Sequence, residues 1–180
     1  MPNANRTQTV YVSTGNPDTV NDSTPYFPGQ LGQAMDVNDR AYQYVQLDSG
    51  ATVSSPAGVV AANEVAYWKD RSQYIVTNDS SQALFQATAN SFRNNVAGIF
   101  RNAMTAGYYG FVLQRGRNIN VKEAGSATAG MTLVSDTSTT AAQLLGTAIG
   151  TAPPVQNVGT VVTGTVANVA VADIDIPNIP

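Results

Sequence analysis

The acidic side chains are the first candidates for chemistry in this sequence, since it contains neither histidine nor cysteine. Three close carboxylate pairs occur, Asp18/Asp22, Asp36/Asp39 and Asp173/Asp175, and glutamate appears only at Glu64 and Glu123. Paired carboxylates serve glycoside hydrolysis when one is an elevated general acid and the other a base or nucleophile. These pairs lie among small or Asn-rich residues, which marks them as solvated turn carboxylates. Missing histidine removes the Ser-His-Asp and Cys-His triads and the HExxH zinc site, and missing cysteine removes thiolate nucleophiles, thiolate metal sites and disulfides. The run Asp36-Val-Asn-Asp39 lacks the glycine and distal glutamate of a calcium loop. Asp173 and Asp175 would share one strand face, where a lattice calcium is the only metal worth weighing. Gly125-Ser-Ala-Thr-Ala-Gly130 and Gly146 to Gly150 lack the Gly-Lys-Ser/Thr tail of a phosphate loop and read as turns. The expectation is no enzyme, no cofactor and no resident metal.

Two other groups of residues suit contact better than catalysis. Trp68, the sole tryptophan, stands beside Tyr67 on a predicted strand; a core role competes there with an interface or sugar-stacking role. Arg115 and Arg117 flank Gly116 in what reads as a hairpin tip, where paired guanidinium groups would anchor a neighbouring subunit. The charge balance narrows the partners. Net charge is −3 with nine scattered basic residues, so the clustered footprint of a nucleic-acid binder is missing. Only 12% of residues are charged, about half the usual share. The opening MPNANRTQTV has no basic and apolar signal regions, and no apolar run nears the roughly 18 residues of a membrane span. The expectation is assembly in a host cytoplasm, with no nucleic-acid or membrane partner.

The elements that must position these groups are strands. Between Val96 and Gly150, eight glycines divide the chain into short pieces. In several, apolar and polar residues alternate: Ile119 and Val121 against Asn118, Asn120 and Lys122, and then Met131 and Leu133. Period two between glycine turns is the pattern of half-buried strands. Upstream, Tyr42, Tyr44 and Leu47 outline a strand ending at Asp48-Ser49-Gly50, and Val59-Val60 follows a turn. Val65 to Trp68 and Tyr74 to Thr77 flank the polar turn Lys69 to Ser72 as a hairpin. Ser80 to Asn95 offers one helix, with Phe85, Ala89, Phe92 and Val96 at helical spacing, or else an irregular loop. Ala141 to Leu145 suggests a helical turn, Ala148 to Thr151 a strand, and Val158 to Ile176 closing strands. Val169 and Val171 lie on opposite parity to Ile174 and Ile176, which predicts a bulge near Ala172 or Asp173.

Residues 1–32 differ in kind. Prolines and Asn/Thr predominate, and the apolar residues are isolated: Val10, Tyr11, Val12, Val20, Tyr26, Phe27 and Leu31. Two readings stand, an unordered terminus and an extended arm that orders on a neighbouring subunit. About 30 extended residues reach at most ~100 Å. The domain reading is therefore an arm over 1–32 and a β-rich body over 33–180.

The hairpin VAYWKDRSQYIVTND and the block AGIFRNAMTAGYYGFVLQRGRNINVKEAGSATAGMTLV resemble tailed-phage head decoration (capsid cement) proteins of the glycine- and alanine-rich β type. The matching positions are Gly98, Thr105 to Tyr108, Gln114 to Gly116 and Ala127 to Gly130, within roughly Tyr42 to Gly150. The resemblance implies a homo-oligomer, usually a trimer, on the outer surface of a capsid. There it would bridge neighbouring capsomers of the major capsid protein. The fold expected is mainly β, a compact β-barrel or sandwich (β-tulip-like) with an extended N-terminal arm and at most one or two short helices. The contact residues expected are Val10, Tyr11, Val12, Tyr26, Phe27, Leu31, Trp68, Arg115 and Arg117. A β-type adhesion or carbohydrate-binding module and a tail-tube or fibre subunit are the rival readings.

Overall fold

The computed structural model describes residues 17–18, 21–23, 31–32, 34–51, 58–83, 96–135, 143–148 and 157–176. Thirteen strands cover most of them, and the only helical element described is a single 3-10 turn, Ser80–Gln82. The first six strands are β1 (Asn21–Asp22), β2 (Ala34–Val37), β3 (Arg40–Leu47), β4 (Val59–Val60), β5 (Val65–Asp70) and β6 (Ile75–Thr77). After the 3-10 turn come β7 (Val96–Phe100), β8 (Met104–Thr105), β9 (Tyr109–Lys122) and β10 (Thr132–Ser135). The last three are β11 (Leu144–Thr147), β12 (Asn157–Val166) and β13 (Val169–Asp175).

Five strands close into a mixed barrel. β9 pairs with β7, β7 with β5, β5 with β6, β6 with β3, and β3 returns to β9. Every pairing is antiparallel except β3 with β6, where Gln46 lies opposite Ile75 and Leu47 opposite Val76. All five strands send side chains inward: Val45 and Leu47, Ala66 and Trp68, Val76, Ala97 and Phe100, and Val112. The small β4–β8 ribbon adds Val60 and Met104 to the same cluster. The barrel is thus a packed core without a lumen. β7 approaches β9 closely because Gly98 has no Cβ; an added one would lie 2.7 Å from Val112 Cβ.

The remaining strands form an outer sheet in the order β11-β10-β12-β13, joined to the barrel through the second half of β9. Its buried face (Leu133, Leu144, Val158, Val161, Ala170, Ala172, Ile174) packs with Tyr42, Tyr44, Tyr67, Ile99, Phe111 and Leu113 from the barrel strands. β9 serves both regions through two register shifts. Ala41 and Tyr42 of β3 oppose Arg115 and Leu113, and Ala172 and Ile174 of β13 oppose Ile119 and Gly116. Each shift leaves one extra residue on β9, and Asn118 takes φ 52° beside the second. The two slips restore the parity of the strand. Phe111 and Leu113 are buried before them, Ile119 and Val121 after them.

The β class, the 65–77 hairpin and the alternation at 118–122 agree with the sequence expectation. The hairpin turn is set by Asp70, whose carboxylate accepts from Ser72 N (2.9 Å), Ser72 Oγ (2.7 Å) and Gln73 N (3.1 Å). The Ser72 hydroxyl and these backbone N–H groups hold that carboxyl below its usual range.

Several expectations need correction. The extra residue near Ala172 lies on β9, and the buried face of β13 runs without a break through Ala170, Ala172, Ile174 and Ile176. Val96 opens strand β7 rather than closing a helix, and the described part of Ser80 to Asn95 is one 3-10 turn. Leu144 and Leu145 are in β11, because their backbone pairs with β10 in place of coiling. Ala148 lies beyond that strand.

Candidate functional site

Arg115 and Arg117 occupy the middle of β9, not a hairpin tip. Pairing on either side keeps the strand extended across Gly116: Arg115 opposes Ala41 of β3 and Asp175 of β13. The glycine that suggested a turn serves close packing. A Cβ there would lie 3.1 Å from Ile119 Cδ1 and 3.2 Å from Arg40 Cγ.

Around these arginines lies a cleft of about 750 Å³, lined by the β2–β3 turn (Asn38, Asp39), Arg40, residues 115–117 and residues 173–175. The turn exists because Asn38 and Asp39 both adopt left-handed φ, 50° and 60°, which these two residue types tolerate best after glycine. The cleft carries both signs of charge. Arg115 pairs with Asp36 at 3.7 Å with both side chains 60% exposed, a contact of little intrinsic worth. Asp173 accepts from the Asn118 backbone N–H at 3.0 Å. Arg117, Asp39 and Asp175 are exposed and make no ion pair among the described residues. Such a surface offers guanidinium forks and carboxylates to a polar partner.

Beside the cleft, Asp18 gathers a second charged group. Its carboxylate lies 3.3 Å from Arg40 Nη1 and 3.7 Å from Arg101 Nε, and accepts from the Tyr42 hydroxyl at 3.1 Å. Burial and the neighbouring Asp18 carboxylate push the Tyr42 hydroxyl pKa up, against the lowering pull of Arg40. Asp18 is therefore a structural ion-pair centre, not the solvated turn residue expected. Further along, Asn21–Asp22 pairs with Gly110 and Tyr109 of β9. The Gly32 N–H donates to Tyr44 O at 2.7 Å, and Leu31 is half-buried against the core. Asp18, Asn21, Asp22, Leu31 and Gly32 are thus held on the chain's own body. Val10, Tyr11, Val12, Tyr26 and Phe27 lie outside the described residues.

Trp68 points into the barrel and is 5% exposed, with Tyr74 edge-on at 6.3 Å and the Arg71 guanidinium 5.7 Å from its ring centroid. It offers no stacking face to a sugar. Both glutamates are buried. Glu123 accepts from the N–H groups of Gly125 (2.7 Å), Ser126 (3.1 Å), Ala127 (3.3 Å) and Gly146 (3.1 Å), and from the Thr165 hydroxyl. Burial alone would raise this carboxyl, but the Thr165 hydroxyl and the backbone N–H donors outweigh it and hold the pKa below the usual range. Glu64 accepts hydrogen bonds from Lys122 and Asn78.

Asp39, Arg40, Asp173 and Asp175 join Arg115 and Arg117 in one site only through the pairing of β3 and β13 with β9. The turn signal at Asn38-Asp39 was the one local clue. No protein-family model matches the sequence, and no curated protein matches it.

Proposed function

We propose that this chain is a non-enzymatic structural protein of a tailed-phage particle that binds the outer surface of the capsid and cements neighbouring capsomers. The major capsid protein and further copies of this chain, most simply a homotrimer, are its partners. It is synthesised in the host cytoplasm and acts as part of the virion. The observation that carries this reading is the filled barrel. Val45, Leu47, Trp68, Phe100, Met104 and Val112 occupy the interior, so recognition falls to the outside of the molecule. A charged cleft around Arg115 and Arg117 lies on that outside. An acidic chain suits the outside of a shell better than its DNA side. Many weak, partly exposed contacts suffice when copies act together on a lattice.

Cosedimentation of the purified chain with expanded, undecorated phage heads tests the proposal. The wild type is expected to pellet with the heads, and Arg115→Ala/Arg117→Ala to lose at least tenfold in affinity with an unchanged fold. A chain lacking residues 1–16 separates an arm contribution from the cleft while sparing Asp18, β1 and Gly32. Wild-type protein that stays in the supernatant would refute the assignment.

A further inference from the structure

Glu64, Lys122 and Asn78 form a group that the capsid reading does not use. Lys122 is one of two lysines in the chain and Glu64 one of two glutamates. Lys122 Nζ donates to Glu64 Oε1 at 2.9 Å, and Asn78 Nδ2 donates to Glu64 Oε2 at 3.1 Å. A primary amine and a carboxamide are thus both held on the two oxygens of one carboxyl group. Glu64 is 1% exposed and Asn78 fully buried, while the Lys122 side chain is 36% exposed. Glu64 Oε2 also accepts from the Ala61 N–H at 3.2 Å. Three strands fix the parts: Glu64 directly precedes β5, Asn78 directly follows β6, and Lys122 ends β9.

From this geometry we propose that Lys122 and Asn78 become joined by an intramolecular isopeptide bond, with Glu64 as the proton carrier. The Lys122 ammonium gives a proton to Glu64, and the freed Nζ attacks Cγ of Asn78. The Nζ–Cγ bond forms and the Cγ–Nδ2 bond breaks. Glu64 takes the second Nζ proton and passes protons to Nδ2, which leaves as ammonium. The carboxylate is regenerated, one ammonium is released for one amide formed, and no oxidant or cofactor is consumed. Holding the reactants together makes the attack unimolecular, and a carboxyl within hydrogen-bond reach of both nitrogens meets the geometric demand on a general acid–base. The Lys122 amine becomes a competent nucleophile once its proton has passed to the Glu64 carboxylate that it contacts. The product would clasp the end of β6 to the end of β9 in a chain without disulfides.

Intact mass and peptide mapping of the full-length folded chain test this directly. The wild type is expected to be one ammonia lighter than its sequence, with a branched peptide linking Lys122 to Asn78. Glu64→Gln, Asn78→Ala and Lys122→Arg are expected at full mass without the branch; Lys122→Arg keeps a cation for Glu64 and so separates the bond from the ion pair. A wild type that, after prolonged incubation in the folded state, yields only unlinked Lys122 and Asn78 peptides would overturn the proposal. That result needs no variant to fold.

Discussion

The barrel and the outer sheet solve the same packing problem with different materials. Inside the barrel, large side chains such as Leu47, Trp68, Phe100 and Met104 meet from all directions and exclude water. The outer sheet buries one face with smaller residues, Ala170 and Ala172 among them, and leaves Val162 43% and Val166 75% exposed on the other. It depends on polar fastening as well, chiefly the Glu123 carboxylate that gathers the 125–127 loop, Gly146 and Thr165. The difference shows two ways of holding strands together, a closed apolar interior and the polar fastening of a sheet buried on one face. A closed, dry barrel supplies rigidity, and the sheet attached to it presents polar surface at modest cost in stability.

That contrast can be broken from either side. Phe100→Ala, in the barrel, is expected to lose about 3–5 kcal/mol in equilibrium denaturation, the range for a buried aromatic truncation. Gly98→Ala forces β7 from β9 and is expected to cost about 1–3 kcal/mol by the same measurement. In the outer sheet, Glu123→Gln is expected to cost roughly 1–3 kcal/mol near neutral pH, where an acceptor of several buried N–H groups is weakened. Because the folded Glu123 pKa is depressed, its contribution is full above the unfolded value of 4.5 and fades as pH falls through the lower folded value. The wild type should therefore lose stability over that acidic window more steeply than Glu123→Gln, as followed by urea midpoints against pH. The smallest effect has the opposite sign. Ala167 turns the β12–β13 hairpin at φ 49°, so Ala167→Asn should raise stability by up to about 1 kcal/mol.

Much of the strand pattern was legible because alternation is a local property. Ile119 and Val121 against Asn118 and Asn120, and the 65–77 hairpin around Asp70, could be read without knowing any partner. Barrel closure through the parallel β3–β6 pair could not, since it joins strands with no common turn. The bulges of β9 were hidden for a related reason. An extra residue is defined only against the strand opposite, so Arg115-Gly116-Arg117 resembled a turn while both of its edges were paired. The cleft draws on a turn, the middle of β9 and the end of β13, and the Glu64 group on residues at the ends of three separate strands. Distances between such residues follow from register, which composition and spacing do not encode.

If this rigid barrel carries a recognition surface for the outside of a phage head, cryo-electron microscopy of expanded heads incubated with the purified chain tests it most directly. Density is expected on the outer surface at capsomer junctions, with Arg115 and Arg117 turned toward a neighbouring capsid or decoration subunit. Heads that remain bare, or that carry the chain with this face turned away from every contact, would contradict it.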